Sequence, residues 1–117
     1  VQVAAIRALE KGHDFLKKNL EVYRHRRDLF VVGLRSFGWQ IHAPQATFYL
    51  WIPVPPGYTS SELAMKFLTD MNIIVTPGNG FGPNGEGYFR ISLTVPDHRL
   101  EEALSRIESS HRHFDRK

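Results

Sequence analysis

The sequence predicts an α+β fold, a two-layer sandwich of helices on a small, mostly antiparallel sheet. Three observations carry that prediction. A chain of 117 residues is long enough for one apolar core without staples. Its periodicities run helix, strand, strand, helix, strand, strand, helix. Glycine and proline punctuate the joints between them.

The first helical pattern starts at Val3 and breaks or kinks at Gly12, since glycine is a poor interior helix residue. Beyond it, Leu16, Leu20, Tyr23, Phe30 and Leu34 recur at three-, four- and seven-residue steps and predict one apolar side of a long helix, with Gly38 as its stop. Trp39, Ile41 and Ala43 alternate with Gln40 and His42, which predicts a strand. A second strand, rich in β-branched and aromatic residues, is expected from Thr47 to Val54. Both of its faces are apolar, with Phe48, Leu50 and Ile52 on one and Tyr49, Trp51 and Pro53 on the other, so cover on both sides is expected.

Thr59-Ser60-Ser61-Glu62 has the spacing of a capping box, in which hydroxyl and carboxylate each satisfy an otherwise unpaired amide at a helix start. Leu63, Ala64, Phe67, Leu68 and Met71 supply the stripe of the helix it opens. A short strand at Ile73 to Thr76, a glycine-rich loop and a strand from Tyr88 to Val95 follow. Pro96-Asp97 starts the last helix, with Leu100, Ala103, Leu104 and Ile107 inward and a polar tail from Ser109 expected to fray.

Composition removes several classes. With 42% apolar and 23% charged residues neither disorder nor a membrane protein is expected, and no apolar run approaches the ~20 residues of a spanning helix. Zero cysteines leave no disulfide framework and no thiolate site, which fits a reducing compartment, the cytoplasm. The net charge of +3 comes largely from Arg24-His25-Arg26-Arg27 and His111-Arg112-His113, an excess typical of solvated helix faces rather than of a nucleic-acid interface. His111 and His113 lack the second pair expected of a metal site, so no metal is expected. Val1 in place of a methionine, with helical spacing from Val3 and no cap ahead, reads as a piece of a longer chain.

The sharpest local feature is Thr76 to Gly87, with glycines at 78, 80, 82, 85 and 87. Gly80 to Gly85 fits the spacing G-x-G-x-x-G, but a dinucleotide site needs that loop to open a helix, and here a strand follows. The plain reading is a loop that takes positive φ repeatedly. Beyond it, strand alternation puts Phe89, Ile91 and Leu93 on one face and Tyr88, Arg90 and Ser92 on the other. A cation in mid-strand needs a partner. An internal Asp or Glu and a planar external carboxylate both suit the guanidinium fork.

Pro77-Gly78, Phe81-Gly82, Gly85 and Arg90 with Ser92 resemble the C-terminal signature of class I/II pyridoxal-phosphate-dependent aminotransferases. Tyr23 to Asp28 resembles the helix joining the two domains of that family, and Ala46 to Trp51 its small-domain strand. Gly80-Phe81-Gly82 and Gly85 to Tyr88 are similar to members described as LL-diaminopimelate or aspartate aminotransferases. The resemblance runs from Ala4 to Ile107 in order. It implies one small domain over residues 1–117, with 1–36 an interdomain helical segment and 37–117 the carboxylate-binding portion. It also implies that Arg90 grips the substrate α-carboxylate beside a loop of Gly78, Gly80, Phe81 and Gly82.

The same resemblance implies amino-group transfer between an amino acid and a 2-oxo acid, with a homodimer as the full-length form. Pyridoxal phosphate would be bound mainly by a large domain. Lys11, Lys17, Lys18 and Lys66 fall in helical patterns and Lys117 is terminal, so none matches the family's cofactor lysine, and the chain alone is expected to be inactive. The alternative is a small RNA-binding or protein-interaction module. Against an RNA platform stands the count of one aromatic, Tyr88, on the Arg90 face of its strand.

Overall fold

The computed structural model describes residues 1–111, with His111 by its backbone only. Of the tail expected to fray from Ser109, the backbone through His111 is helical, and the rest, with the reading of His113 and Lys117, lies outside the described residues. Among these, four helices and a three-stranded antiparallel sheet form the fold. Helix α1 spans Gln2–Lys11 and α2 spans His13–Ser36. The Gly12 amide donates to Ala8 and its carbonyl accepts from Leu16, so Gly12 marks a joint across which helical bonding continues.

At ~1.5 Å rise per residue the 24 residues of α2 span about 36 Å, more than the 30 and 23 Å minor extents of the molecule. Its first turns therefore project. Only Phe30, Val31 and Leu34 of α2 are buried and Tyr23 is half-buried, whereas Leu16 and Leu20 are exposed. The continuous stripe expected from spacing is thus a core face in its second half alone, because none of the described residues buries the first half. Helix α1 buries nothing and exposes Val3, Ile6 and Leu9.

Gly38 ends α2 as expected. With φ at 86°, its amide reaches Arg35 and that of Trp39 reaches Leu34, which satisfies two terminal carbonyls. The strand expected from Trp39 to Ala43 does not form. Trp39 and Ile41 are buried, so the alternation reported burial, but Arg35 takes the Ile41 carbonyl at 2.7 and 3.1 Å in place of a sheet neighbour.

Strand β1 is Tyr49–Pro53, β2 is Thr76–Pro77 and β3 is Tyr88–Ser92, in sheet order β1-β3-β2. All three are shorter than the apolar runs that predicted them. Thr47, at φ 69°, accepts the Tyr49 amide with its own hydroxyl and so turns the chain before β1. At the other end of helix α3, Ser60–Met71, Asn72 adopts the left-handed conformation at φ 54° and Ile73 donates back to Phe67. That closure takes the start of the expected Ile73 strand. The capping box of α3 is present, with Glu62 donating to the Thr59 hydroxyl and Thr59 donating to the Glu62 carboxylate at 2.8 Å.

Leu50 and Ile52 of β1, with Phe89, Ile91 and Leu93, form the inner face of the sheet. Against it lie Leu63, Phe67 and Met71 of α3 and Leu100, Leu104 and Ile107 of helix α4, Asp97–His111. Phe89 meets the rings of Trp39 at 5.5 Å and Phe67 at 5.3 Å. Phe48 departs from the expected inward face. It is 37% exposed and lies against Tyr23 and Tyr49, since the turn at Thr47 places it before the pleat begins. Arg26 ties α2 to α4, donating to Asp97 at 2.6 Å and to the Leu93 carbonyl at 3.2 Å, and this holds the Asp97 carboxyl below its ordinary range.

No described element covers the outer face of the sheet. Tyr49 is half-buried there, while Trp51, Pro53 and Tyr88 are exposed. The expectation of cover on both sides of β1 is therefore met on one side only among the described residues. Among the described residues no helix is long and apolar enough to cross a membrane.

Candidate functional site

The outer face carries the groove. It is an open cleft of about 860 Å³ floored by Tyr49, Trp51, Tyr88 and Arg90, walled on one side by Phe81 and on the other by the chain from His42 to Thr47. Sheet register builds it. Trp51 lies across from Arg90 on one flank and Thr76 on the other, so Arg90 is held at the centre of three strands.

The loop between β2 and β3 is two turns of 3-10 helix, Gly78–Phe81 and Pro83–Gly85. Its glycines have different reasons. Gly78 is buried against Gly85, and a Cβ at either would overlap the carbonyl oxygen of the other, so the two turns meet backbone to backbone. Gly82, at φ 106°, makes the corner between them. Gly80 faces open space and has no need of a positive φ. Repeated positive φ was expected, but only Gly82 and Gly87 adopt it within the loop, because tight 3-10 turns account for the rest.

A carboxylate clasps this loop to α3. Glu86 accepts the Ser60 amide at 2.7 Å, the Ser60 hydroxyl at 2.8 Å and the Gly87 amide at 3.1 Å. These bonds, led by the Ser60 amide, hold the Glu86 carboxyl below its ordinary range. Asn79 extends the clasp, its amide to the Ser60 hydroxyl and its side chain to Ser61. Ser60, fully buried, is the hub of that network.

So anchored, the loop presents Phe81, 51% exposed, over the groove. The Arg90 guanidinium carbon lies 4.1 Å from the centroid of the Tyr49 ring and 4.6 Å from that of Phe81. Among the described residues neither a carboxylate nor a hydrogen-bond acceptor is paired with Arg90. The internal ion pair that the sequence left open is absent there. Trp51 completes the floor, stacked on Tyr88 at 5.7 Å and edge-on to Phe81 at 5.5 Å.

Of the residues singled out in the sequence, Arg90 and Phe81 come together in the groove, while Gly78, Gly80 and Gly82 shape the loop without lining it. Tyr49, Trp51 and Tyr88 were not counted as site residues. The signal for Tyr49 and Trp51 was the apolar outer face of β1, which had no partner in the sequence, and that for Tyr88 was its place on the Arg90 face of its own strand. The count of one aromatic on the Arg90 face holds for its own strand, but alternation along a single strand is blind to the neighbouring strand and loop, which bring the other rings. Four aromatic rings face this groove, yet Arg90 and His42 are the only basic side chains lining it, among the described residues. A nucleic-acid strand needs a track of cations along its backbone. No three His, Cys, Asp or Glu side chains among the described residues are placed to hold a metal ion.

Comparison with known proteins places the chain among aminotransferases. The chain is 52% identical over 109 residues to the LL-diaminopimelate aminotransferase of Oleidesulfovibrio alaskensis, which covers 93% of this chain and 28% of that protein. It is 48% identical over 110 residues to LL-diaminopimelate aminotransferase 2 of Nostoc sp., covering 94% and 28%. The solved structure of an aminotransferase from Staphylococcus aureus superposes on 93% of this chain and 29% of its own, with a TM-score of 0.86 at 36% identity. The chain thus spans little more than a quarter of the length of the curated relatives it matches. The family described as aminotransferase class I and II matches residues 1–107, and the chain belongs to that family.

Proposed function

We propose that this chain is the substrate-carboxylate-binding part of an aminotransferase that moves an amino group between an amino acid and a 2-oxo acid, with Arg90 receiving the α-carboxylate. The observation that carries the reading is the guanidinium at the centre of an open groove with no anion of its own among the described residues. A planar fork held by three strands suits a planar carboxylate through two parallel hydrogen bonds. The names of the relatives favour LL-diaminopimelate, an amino acid, as the amino donor. On this reading residues 1–36 form the segment that meets a larger domain, which fits a helix α1 with no buried residue. Residues 37–117 bind the substrate, and the working protein is a homodimer in the cytoplasm.

Members of this family work with pyridoxal phosphate, and the described residues do not hold it by themselves. Lys11, Lys17 and Lys18 are exposed on α1 and α2, Lys66 binds Asp70 at 2.7 Å, and none lines the groove. The lysine and phosphate contacts belong to the rest of such an enzyme. This chain supplies a binding and orienting surface instead.

The test is amino transfer by the full-length protein that carries this sequence, with an amino-acid donor and with the amide of the same amino acid. Turnover of the acid and its loss with the amide are expected, since the amide removes the charge that Arg90 would meet. Equal turnover of both would reject the reading.

A further inference from the structure

We infer that Phe81 and Tyr49 are positioning residues, whose rings hold the Arg90 guanidinium in the orientation that receives a carboxylate; this rests on the role of Arg90 proposed above. An arginine side chain has much rotamer freedom to lose, and a carboxylate or a carbonyl commonly fixes it. Arg26 is fixed by Asp97 and Leu93, Arg35 by Ile41, and Arg106 by Glu102, Met71 and Asn72. Arg90 has no such acceptor among the described residues and has two ring faces in its place, at 4.1 and 4.6 Å. A ring holds the cation through its quadrupole and leaves the N–H groups free, so the donors that a carboxylate needs are not spent on the protein.

The rings come from separate parts of the chain. Tyr49 opens β1, diagonal to Arg90 in the register with β3. Phe81 comes from the loop, whose place is set by the Gly78 to Gly85 contact and by the Glu86 clasp on Ser60. A half-exposed phenylalanine adds little to folding, and Phe81 packs on the floor of the groove and on the arginine rather than into the core. The loop is thereby a support for one ring. Its glycines and clasp are spent on placing Phe81 rather than on lining the groove.

The experiment measures inhibition of the full-length enzyme by butyrate, an unreactive carboxylate, together with KM and kcat for the amino donor. Phe81 is replaced by Leu, by Tyr, and by phenylalanines of rising fluorine content, which keep the ring but drain its quadrupole. We expect Phe81→Leu to weaken butyrate binding about two- to fivefold, Phe81→Tyr to restore it, and the fluorinated series to weaken it step by step, with KM rising in parallel and the urea midpoint falling by no more than about 0.5 M. Tyr49→Leu and Tyr49→Phe should repeat the loss and the rescue. Butyrate affinity that stays flat or improves along the fluorinated series overturns the inference, whatever Phe81→Leu does to folding. Arg90→Gln separates the two ideas. If it abolishes butyrate binding while fluorination has no effect, the carboxylate role stands and the positioning role falls; if it leaves binding intact, both fall.

Discussion

Replacing Arg90 by alanine separates a structural arginine from one kept for a ligand, and the structure sets the size of each effect. Folding loses two cation–π contacts, worth about 0.5–1 kcal/mol each at a partly exposed site, so the domain should lose about 1–2 kcal/mol. Breaking a buried ion pair would cost roughly 3–5 kcal/mol, but no such pair is made by Arg90 among the described residues. With a urea slope of about 2 kcal/mol per molar, the expected fall in midpoint is less than about 1 M. Catalysis should suffer far more. Two charged hydrogen bonds to a carboxylate are worth about 1.5–3 kcal/mol each, which at about 1.4 kcal/mol per tenfold is a loss of roughly 10² to 10⁴ in kcat/KM. Urea denaturation of both forms and steady-state kinetics of the full-length enzymes give the two numbers. A midpoint lowered by the equivalent of 3–5 kcal/mol, with kcat/KM of the folded enzyme unchanged, would refute the reasoning.

Gly78→Ala should cost about 1–3 kcal/mol or more, because its Cβ would lie 2.5 Å from the Tyr88 carbonyl oxygen and overlap that of Gly85. Gly80→Ala, which meets open space, should stay within about 0.5 kcal/mol, so equal midpoints for the two variants would contradict the loop packing. The Glu86 carboxyl, held by Ser60 and Gly87, titrates below its ordinary 4.5 when folded. The stability it contributes is therefore fully present above about 4.5 and is lost as the pH falls through the lower folded value. The gap in urea midpoint between the parent and Glu86→Gln should close as the pH is lowered from about 6 to about 3; a gap that stays constant would show that the clasp does not depend on the charge.

What was legible in the sequence is what short-range physics decides. The start of α3 was readable because a capping box closes within Thr59 to Glu62, and the end of α2 because Gly38 takes the backbone angles that finish a helix. The inner faces of β1, β3, α3 and α4 were readable because repeats of 2 and 3.6 residues are properties of a single segment. Arg90 stood out for the same reason, as a cation between strong strand formers. Tertiary structure alone decided which apolar runs pair. Trp39 to Ala43 alternates as well as β1 does, yet Arg35 takes its carbonyl while β1 finds β3 across some forty residues of chain. It also decided what surrounds Arg90. Tyr49, Trp51, Phe81 and Tyr88 come from two strands and a loop, and the loop's place follows from the Gly78 to Gly85 contact and from Glu86 reaching Ser60. Periodicity cannot register such contacts, since it is set by neighbours a few residues away, whereas the groove is made by segments that meet only when the sheet closes.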